Sequence, residues 1–234
     1  MNLQNAAALV TGGSSGIGLA IAKMLIDSGA RVAITGRNEK KLYKVAERLQ
    51  ALAIRADVSN EPDVERTYRE VLQAFDHLDI LINNAGFGFF KPLIETDRAS
   101  FEAVFATNVT GAMLMAREAA RHFIKQNHGN IINICSTASL RGAPNGTTYY
   151  ASKFELRGMT ECWRAELRRY NIRVCLINPS EVLTSFGEAL GEPPKSNPTK
   201  LQAEDIASMV KAVLEMNDRG FTPELTIFAT NPKD

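Results

Sequence analysis

The chain has 234 residues, of which 45% are hydrophobic and 23% charged, an ordinary composition for a globular protein with a full core. Lysine and arginine total 27 against 26 acidic residues, and the formal charge of +1 indicates no basic surface for nucleic acid or anionic lipid. Cys135, Cys162 and Cys175 lack CxxC spacing, which fits reduced thiols in a cytoplasmic protein better than a disulfide framework. The amino-terminal segment has no basic start, and no apolar run reaches about 18 residues, so we expect neither a signal peptide nor a membrane span.

Short apolar runs alternate with longer amphipathic segments along the chain. The strand-like runs are residues 6–11, 31–35, 52–56, 78–83, 129–135, 172–178 and 224–228, and the helix-like segments are 17–29, 38–50, 61–75, 98–127, 149–170 and 203–216. Such alternation predicts right-handed crossovers and a parallel sheet covered on both faces, in a single domain spanning residues 1–234. Ser59 is the predicted N-cap of the third helix.

A Pro- and Gly-rich interval, "GEALGEPPKSNPTK" at residues 187–200, follows the sixth strand-like run. Its position is where a flap over a site would belong, and we assign the flap to about residues 185–202. A plain surface loop is the alternative.

The first strand-like run leads into "TGGSSGIG", residues 11–18, which opens directly into an amphipathic segment. Glycines in such a turn let the backbone approach a ligand closely, and the following helix offers free N–H groups to a pyrophosphate. The turn lacks the Lys-Ser/Thr pair of a P-loop, which argues against a P-loop NTPase.

The pattern Thr11-Gly12-x-x-x-Gly16-Ile17-Gly18 resembles the short-chain dehydrogenase/reductase family. Further motifs of that family follow in its order: "DVS" at 57–59, "NNAG" at 83–86 and "NVTG" at 108–111. The resemblance covers residues 6 to 184 and implies a Rossmann-type three-layer α/β/α fold with a seven-stranded sheet in the order 3-2-1-4-5-6-7. It also implies a set of cofactor-binding residues: Gly12, Ser14, Ser15, Gly16, Ile17, Gly18, Arg37, Asp57, Val58, Asn84, Ala85, Gly86, Tyr149, Lys153, Pro179, Val182 and Thr184.

The cofactor choice is predicted from the end of the second strand, "AITGRN". An acidic side chain there would bind the ribose hydroxyls of NAD, whereas an arginine accommodates the added phosphate of NADP. Gly36 occupies the acidic position and Arg37 follows it, so we predict a preference for NADP(H).

In "TTYYASK" at 147–153, helical spacing places Tyr149, and not Tyr150, one turn from Lys153. A lysine ammonium about 5 Å away, at an effective dielectric near 20, favours the phenolate by roughly 3 kcal/mol, or about two pKa units, although burial of the phenol opposes this. The pair matches the family's YxxxK motif. The resemblance further implies that Ser136 holds the substrate carbonyl, that Asn108 supports a water-mediated proton relay, and that Lys153 also binds the nicotinamide ribose.

Two departures from the family pattern bear on function. Ser180 follows Pro179 where the family usually has glycine, and the chain lacks the carboxyl-terminal Asp-Gly-Gly common in reductases of 3-oxoacyl chains on a carrier protein. We therefore expect an NADPH-dependent ketone or aldehyde reductase, or the reverse alcohol oxidation. A 3-oxoacyl-carrier-protein reductase and a non-enzymatic NADP-binding sensor or scaffold are the alternatives.

Partners and metals are the remaining expectations. The resemblance implies a homodimer or homotetramer formed through the helices around 98–127 and 149–170. His77, His122 and His128 show no metal-ligand spacing, so we expect no metal site.

Overall fold

The computed structural model of the chain describes residues 1–184, 186 and 197–231. Seven parallel strands form the central sheet: β1 (Ala7–Val10), β2 (Arg31–Gly36), β3 (Leu52–Arg55), β4 (Ile80–Asn83), β5 (Gly129–Ile134), β6 (Ile172–Pro179) and β9 (Glu224–Ile227). Their order is β3-β2-β1-β4-β5-β6-β9. The predicted doubly wound sheet is confirmed, and its seventh strand is β9 because two short strands, β7 (Val182–Leu183) and β8 (Leu201–Gln202), pair with each other outside the sheet.

The helices lie between the strands along the chain. They are α1 (Gly16–Asp27), α2 (Glu39–Leu49), α3 (Glu61–Phe75), α4 (Arg98–Phe105), α5 (Ala112–Gln126), α6 (Thr147–Leu167) and α7 (Ala203–Glu215). A π-helical segment, Ala106–Gly111, joins α4 to α5. None of the helices in these ranges is long and apolar enough to cross a membrane.

Side chains of the central strands alternate between the two faces of the sheet, as the two-residue repeat of a strand requires. Ala8 and Ile82 face a core completed by α1, α2 and α7, while Leu9 and Leu81 face a second core completed by α3 and α5. All four side chains are fully buried. Burial on both faces accounts for the unbroken apolar runs that predicted these strands.

The N-cap of α3 is Asn60, whose side chain accepts a hydrogen bond from the Asp63 N–H at 3.1 Å. The prediction of Ser59 as the cap is therefore wrong by one residue. Ser59 instead donates its backbone N–H and its hydroxyl to Asp57 Oδ1, at 2.9 and 2.7 Å. Both residue types can cap a helix, and the position of the first helical turn decides between them.

Candidate active site

An open cleft of about 1310 Å³ lies at the carboxyl ends of the strands. The strand order reverses between β1 and β4, and ligands of open α/β sheets bind at such a reversal. Most of the predicted site residues line this cleft: Gly12, Ser14, Ser15, Gly16, Ile17, Arg37, Asp57, Val58, Asn84, Ala85, Gly86, Ser136, Tyr149, Lys153, Pro179, Val182 and Thr184. Two of the predicted site residues, Gly18 and Asn108, do not line the cleft and lie behind its wall.

The glycine-rich turn after β1 is shaped for a bound anion. Gly12 has a φ of +63°, in the left-handed region that favours glycine. A Cβ at Gly18 would lie 2.4 Å from Asn84 Nδ2 and 2.5 Å from the Gly12 carbonyl oxygen, so only glycine fits there. The N-cap Ser15 makes no side-chain capping hydrogen bond, and the first turn of α1 carries no acidic residue. The amino end of α1 is therefore open to a pyrophosphate, and the cradle fits a dinucleotide.

Hydrogen bonds join this turn to the end of β4. Thr11 Oγ1 accepts from the backbone N–H groups of Asn84 and Ala85, at 2.9 and 3.0 Å. Asn84 Nδ2 donates to the Thr11 carbonyl oxygen at 3.0 Å. The two strand ends that would hold a dinucleotide are thus fixed to each other before any ligand binds.

One end of the cleft carries cationic side chains. The Arg37 guanidinium lies 5.6 Å from the centroid of the Phe87 ring, and its Nη1 is 4.0 Å from Asp57 Oδ2. Lys41, in the first turn of α2, also lines this end. The sequence motifs do not predict Lys41. A signal for it exists, because the helix predicted directly after Arg37 has its first turn at the carboxyl ends of the strands, as Arg37 does.

Ser136, Tyr149 and Lys153 meet at the other end of the cleft. Lys153 is buried, its Nζ donates to the Ile134 carbonyl oxygen at 3.1 Å, and it lies 5.6 Å from the centroid of the Tyr149 ring. Burial raises the pKa of the Tyr149 phenol above its ordinary value, while hydrogen bonding with Ser136 lowers it. Burial also lowers the pKa of Lys153. The three groups can together hold a polar oxygen and exchange a proton with it.

Asn108 occupies the π-helical segment and holds the loop after β4. Its Oδ1 accepts from the Phe87 N–H at 3.0 Å, and its Nδ2 donates to the Phe87 carbonyl oxygen at 2.9 Å and to Ser152 Oγ at 3.0 Å. A Cβ at Gly86 would lie 3.0 Å from Asn108 Oδ1 and 3.8 Å from Lys153 Nζ, so the amide and the ammonium are near neighbours. The proton relay predicted for Asn108 stays a prediction.

Ser180, which stands where the family usually has glycine, causes no strain in the backbone. The Ser180 N–H donates to the Ile227 carbonyl oxygen at 2.8 Å, and its φ is not in the left-handed region that would call for glycine. The predicted flap at residues 185–202 falls largely outside the described residues, since only residues 186 and 197–202 of it are described. Its action as a lid stays a prediction.

Asp79 lies between two of the three histidines. It directly precedes β4, at the amino ends of the strands and away from the cleft. His77 Nε2 is 3.2 Å from Asp79 Oδ2, and His128 Nδ1 is 3.8 Å from Oδ1. Within residues 1–184, 186 and 197–231, no group of three or more His, Cys, Asp or Glu residues is arranged to hold a metal ion.

Comparisons with known proteins agree with this architecture. The family model described as short chain dehydrogenase matches residues 6–195. An uncharacterized oxidoreductase of Staphylococcus epidermidis is 30% identical over 222 residues, which cover 94% of this chain and 95% of that protein. The solved structure of an alcohol dehydrogenase from the archaeon Thermococcus sibiricus, complexed with 5-hydroxy-NADP, has a TM-score of 0.90 at 26% identity and covers 99% of this chain and 100% of that chain.

A 3-ketoacyl-(acyl-carrier-protein) reductase from Brucella melitensis, complexed with NADH, has a TM-score of 0.88 at 28% identity, covering 97% of this chain and 98% of that chain. The neighbours thus include complexes with both types of nicotinamide cofactor. The extent of the family match, together with these relatives, identifies the chain as a member of the short-chain dehydrogenase/reductase family and as an NAD(P)-dependent oxidoreductase.

Proposed function

We propose that the protein is an NADPH-dependent oxidoreductase that interconverts a small ketone or aldehyde and its alcohol. One observation carries the proposal: Ser136, Tyr149 and the buried Lys153 converge at one end of the same cleft that receives the open amino end of α1 at its middle. A dinucleotide held on the glycine-rich turn would reach both places. A serine, a phenol and an ammonium suit a carbonyl oxygen that becomes an alkoxide.

Tyr149, Ser136 and Lys153 have different roles in the proposed reaction. When bound, the reduced nicotinamide supplies a hydride to the carbonyl carbon, and Tyr149 supplies a proton to the carbonyl oxygen, so that the C=O bond becomes CH–OH. Ser136 donates a hydrogen bond to the same oxygen and stabilises its developing negative charge. Lys153, fixed by the Ile134 carbonyl, places a positive charge beside Tyr149 and would bind the nicotinamide ribose.

Exchange of Tyr149 for phenylalanine tests the catalytic assignment. Tyr149→Phe removes the proton donor and keeps the ring, so turnover of NADPH with a panel of ketones, aldehydes and 3-oxoacyl thioesters should be lost while the Kd for NADPH, measured by fluorescence titration, stays within about twofold. Tyr43→Phe, at an exposed tyrosine on α2 that does not line the cleft, is the matched control and should retain activity. Retained turnover in Tyr149→Phe contradicts the assignment. NADPH binding without turnover of any carbonyl in the wild-type protein favours the sensor alternative.

We propose NADP(H) as the preferred cofactor because Arg37 and Lys41 both line the end of the cleft that would hold the adenosine ribose. A hydrogen bond to a charged group contributes roughly 1.5–3 kcal/mol. Arg37→Ala should therefore weaken NADPH binding by about ten- to a hundredfold and leave NADH binding nearly unchanged. Arg48→Ala, at an exposed arginine in the last turn of α2 that does not line the cleft, is the control. Equal losses for both cofactors would contradict the assignment.

We also propose a homo-oligomer formed through the segments 98–127 and 149–170, and a cytoplasmic location. Support for the first is the exposure of Phe154, which is 45% exposed on α6. Support for the second is that Cys135, Cys162 and Cys175 are all free thiols, which a reducing compartment maintains.

A further inference from the structure

Aromatic rings surround Tyr149 at the substrate end of the cleft. The ring centroids of Phe90 and Phe186 each lie 5.4 Å from that of Tyr149, and the centroid of Tyr150 lies 6.2 Å from it. These separations are those of contacting aromatic pairs. The three rings come from the loop after β4, the segment after β7 and helix α6, and all three line the cleft. The walls beside the phenol are therefore aromatic on several sides.

The charged residues at this end are already engaged with protein partners. Among the described residues that line the substrate end, the charged side chains are Lys153, Glu181 and Lys200. Lys200 Nζ lies 2.7 Å from Glu181 Oε1, and Lys153 is buried and bonded to the Ile134 carbonyl. A carboxylate or phosphate on the substrate would therefore compete with Glu181 for Lys200 and with the Ile134 carbonyl for Lys153, and among the described residues at this end no cation is left to it alone.

Phe186 is connected by a hydrogen bond to Thr184, which lies beside the predicted cofactor site. Its backbone N–H donates to Thr184 Oγ1 at 3.3 Å, and Thr184 lies against the glycine-rich turn, where a Cβ at Gly16 would be 3.3 Å from it. Phe90 follows the loop that Asn108 holds through Phe87. Both rings are thus positioned by residues that also shape the predicted cofactor site, so the aromatic walls are part of the built cleft.

We propose that the substrate is an uncharged carbonyl compound with an aryl group next to the carbonyl, and that this aryl group packs among Phe90, Tyr150 and Phe186. The proposal rests on the proposed carbonyl chemistry at Tyr149. Aromatic rings gain from mutual edge and offset contacts beyond the area they bury, which a saturated ring of the same size does not. The cleft should therefore distinguish an aryl ketone from its saturated and its charged analogues.

Three probes of similar size test the proposal: acetophenone, cyclohexyl methyl ketone and phenylglyoxylate. The aryl compound should have a kcat/KM about tenfold above that of the saturated compound, as aromatic contacts of this kind allow. The charged compound should be about tenfold or more poorer, because its carboxylate must displace the existing partners of Lys153 and Lys200 to replace its lost hydration. Phe186→Ala removes one of the three rings and should lower the ratio of acetophenone to cyclohexyl methyl ketone by about threefold or more.

Phe89→Ala is the matched control, since Phe89 neighbours Phe90 but does not line the cleft. It should preserve that ratio. Thermal unfolding of each variant checks that the folded protein is being compared.

Binding to the Tyr149→Phe protein in the presence of NADP+ separates this proposal from the proposed reaction. Isothermal titration measures the affinity for each probe without turnover. Tighter binding of acetophenone than of the other two supports the aryl site, even if the wild-type protein turns over none of them and the reductase proposal fails. Equal or weaker binding of acetophenone, or binding of none of the probes, overturns the aryl site whatever the wild-type activity.

Discussion

Tyr149 carries a phenol in surroundings that oppose its ionisation. Burial raises the pKa of Tyr149, and the neighbouring Cys135 and Tyr150 act in the same direction, while only Ser136 lowers it. The sequence predicts that Lys153 brings the pKa of Tyr149 towards neutrality, but in the structure burial dominates and raises it, and burial also lowers the pKa of Lys153. Tyr149 is consequently protonated, and ready to donate, at neutral pH.

The raised pKa of Tyr149 predicts different pH profiles of kcat/KM for the two directions of the reaction. Carbonyl reduction needs the protonated phenol, so its kcat/KM should show no alkaline loss from this group between about pH 6 and 9. Alcohol oxidation needs the phenolate, so its kcat/KM should rise by about tenfold per pH unit over the same range. Ser136→Ala removes the hydrogen bond that lowers the pKa of Tyr149. At any fixed pH the variant should therefore have a lower kcat/KM for alcohol oxidation than the wild-type protein. A plateau of the oxidation rate near neutral pH would contradict this account.

Gly88 fixes the position of the Tyr149 ring by having no side chain. A Cβ at Gly88 would lie 2.8 Å from Tyr149 Cδ2 and 3.0 Å from Cγ, so the ring must shift to admit it. Displacement of a reacting group by a fraction of an ångström to one ångström costs up to about a hundredfold in rate. We expect Gly88→Ala to lower kcat by about ten- to a hundredfold while the Kd for NADPH stays unchanged, since Gly88 does not line the cleft.

Gly142 supplies the matched control for this substitution. A Cβ at Gly142 meets no atom within 4 Å, so Gly142→Ala should keep wild-type kcat. Steady-state kinetics and fluorescence titration of NADPH measure both variants. A Gly88→Ala protein with kcat within twofold of the wild type would mean that the Tyr149 ring is not held by this contact.

The π-helical segment between α4 and α5 gives Asn108 its structural role. The widened turn places the Asn108 amide against both backbone groups of Phe87, so one side chain holds the loop from which Phe87, Gly88 and Phe90 project. Asn108→Ala leaves the partly buried N–H and carbonyl of Phe87 without these partners, which costs roughly 1–3 kcal/mol of unfolding free energy. Gln73→Ala, which removes an exposed side-chain amide on α3, is a control that leaves the loop intact.

Denaturant unfolding and kinetics together measure the effect of Asn108→Ala. Because the loop positions Tyr149 through Gly88, we expect a loss of kcat with the loss of stability. A variant of normal stability that loses only its proton-transfer step, seen as a changed solvent isotope effect, would instead favour the relay role implied by the family resemblance.

The strands, helices and glycine-rich turn follow from local sequence patterns, whereas three shorter features do not. β7 and β8 have two residues each, too few for a two-residue repeat to be read. The π-helical segment Ala106–Gly111 keeps the apolar spacing of an ordinary helix, so the sequence predicts only a continuous helical region. The choice of Asn60 over Ser59 as a cap depends on where the first turn begins, which packing decides.

At the scale of the whole molecule, family motifs predict the residues that meet at the cleft from positions far apart in the chain. They do not predict Phe90, Phe186 or Lys41, which also line it. Phe90 and Phe186 lie in segments without a spacing rule, and their meeting depends on the paths of the chain after β4 and β7. Lys41 lies in the first turn of α2, and its approach to the cleft depends on how that helix follows β2. The sequence therefore predicts the residues to which we assign the chemistry, whereas the side chains to which we assign the selectivity are identified only in the structure.

Helix α6 links the active site to a surface that would be buried in an oligomer. Phe154 directly follows Lys153, and Gly158 and Cys162 continue its exposed face at four-residue spacing. Phe154 is a large apolar side chain that is 45% exposed on this face, so a partner that covered it would remove apolar surface from water. A second copy of the chain packed on this face would also hold the helix that carries Tyr149 and Lys153.

Phe154→Arg should therefore dissociate the oligomer, because burying a cation against a second copy strips its hydration at a cost of about 3 kcal/mol or more. Light scattering after size exclusion should give a mass two or four times 25.7 kDa for the wild type and a smaller assembly for the variant. Tyr43→Arg, at a residue 50% exposed on α2, should leave the mass unchanged. If the interface also steadies α6, the Phe154→Arg protein loses kcat in step with its oligomeric mass. A wild-type protein of 25.7 kDa in solution, or an unchanged assembly in Phe154→Arg, would contradict an interface on this face.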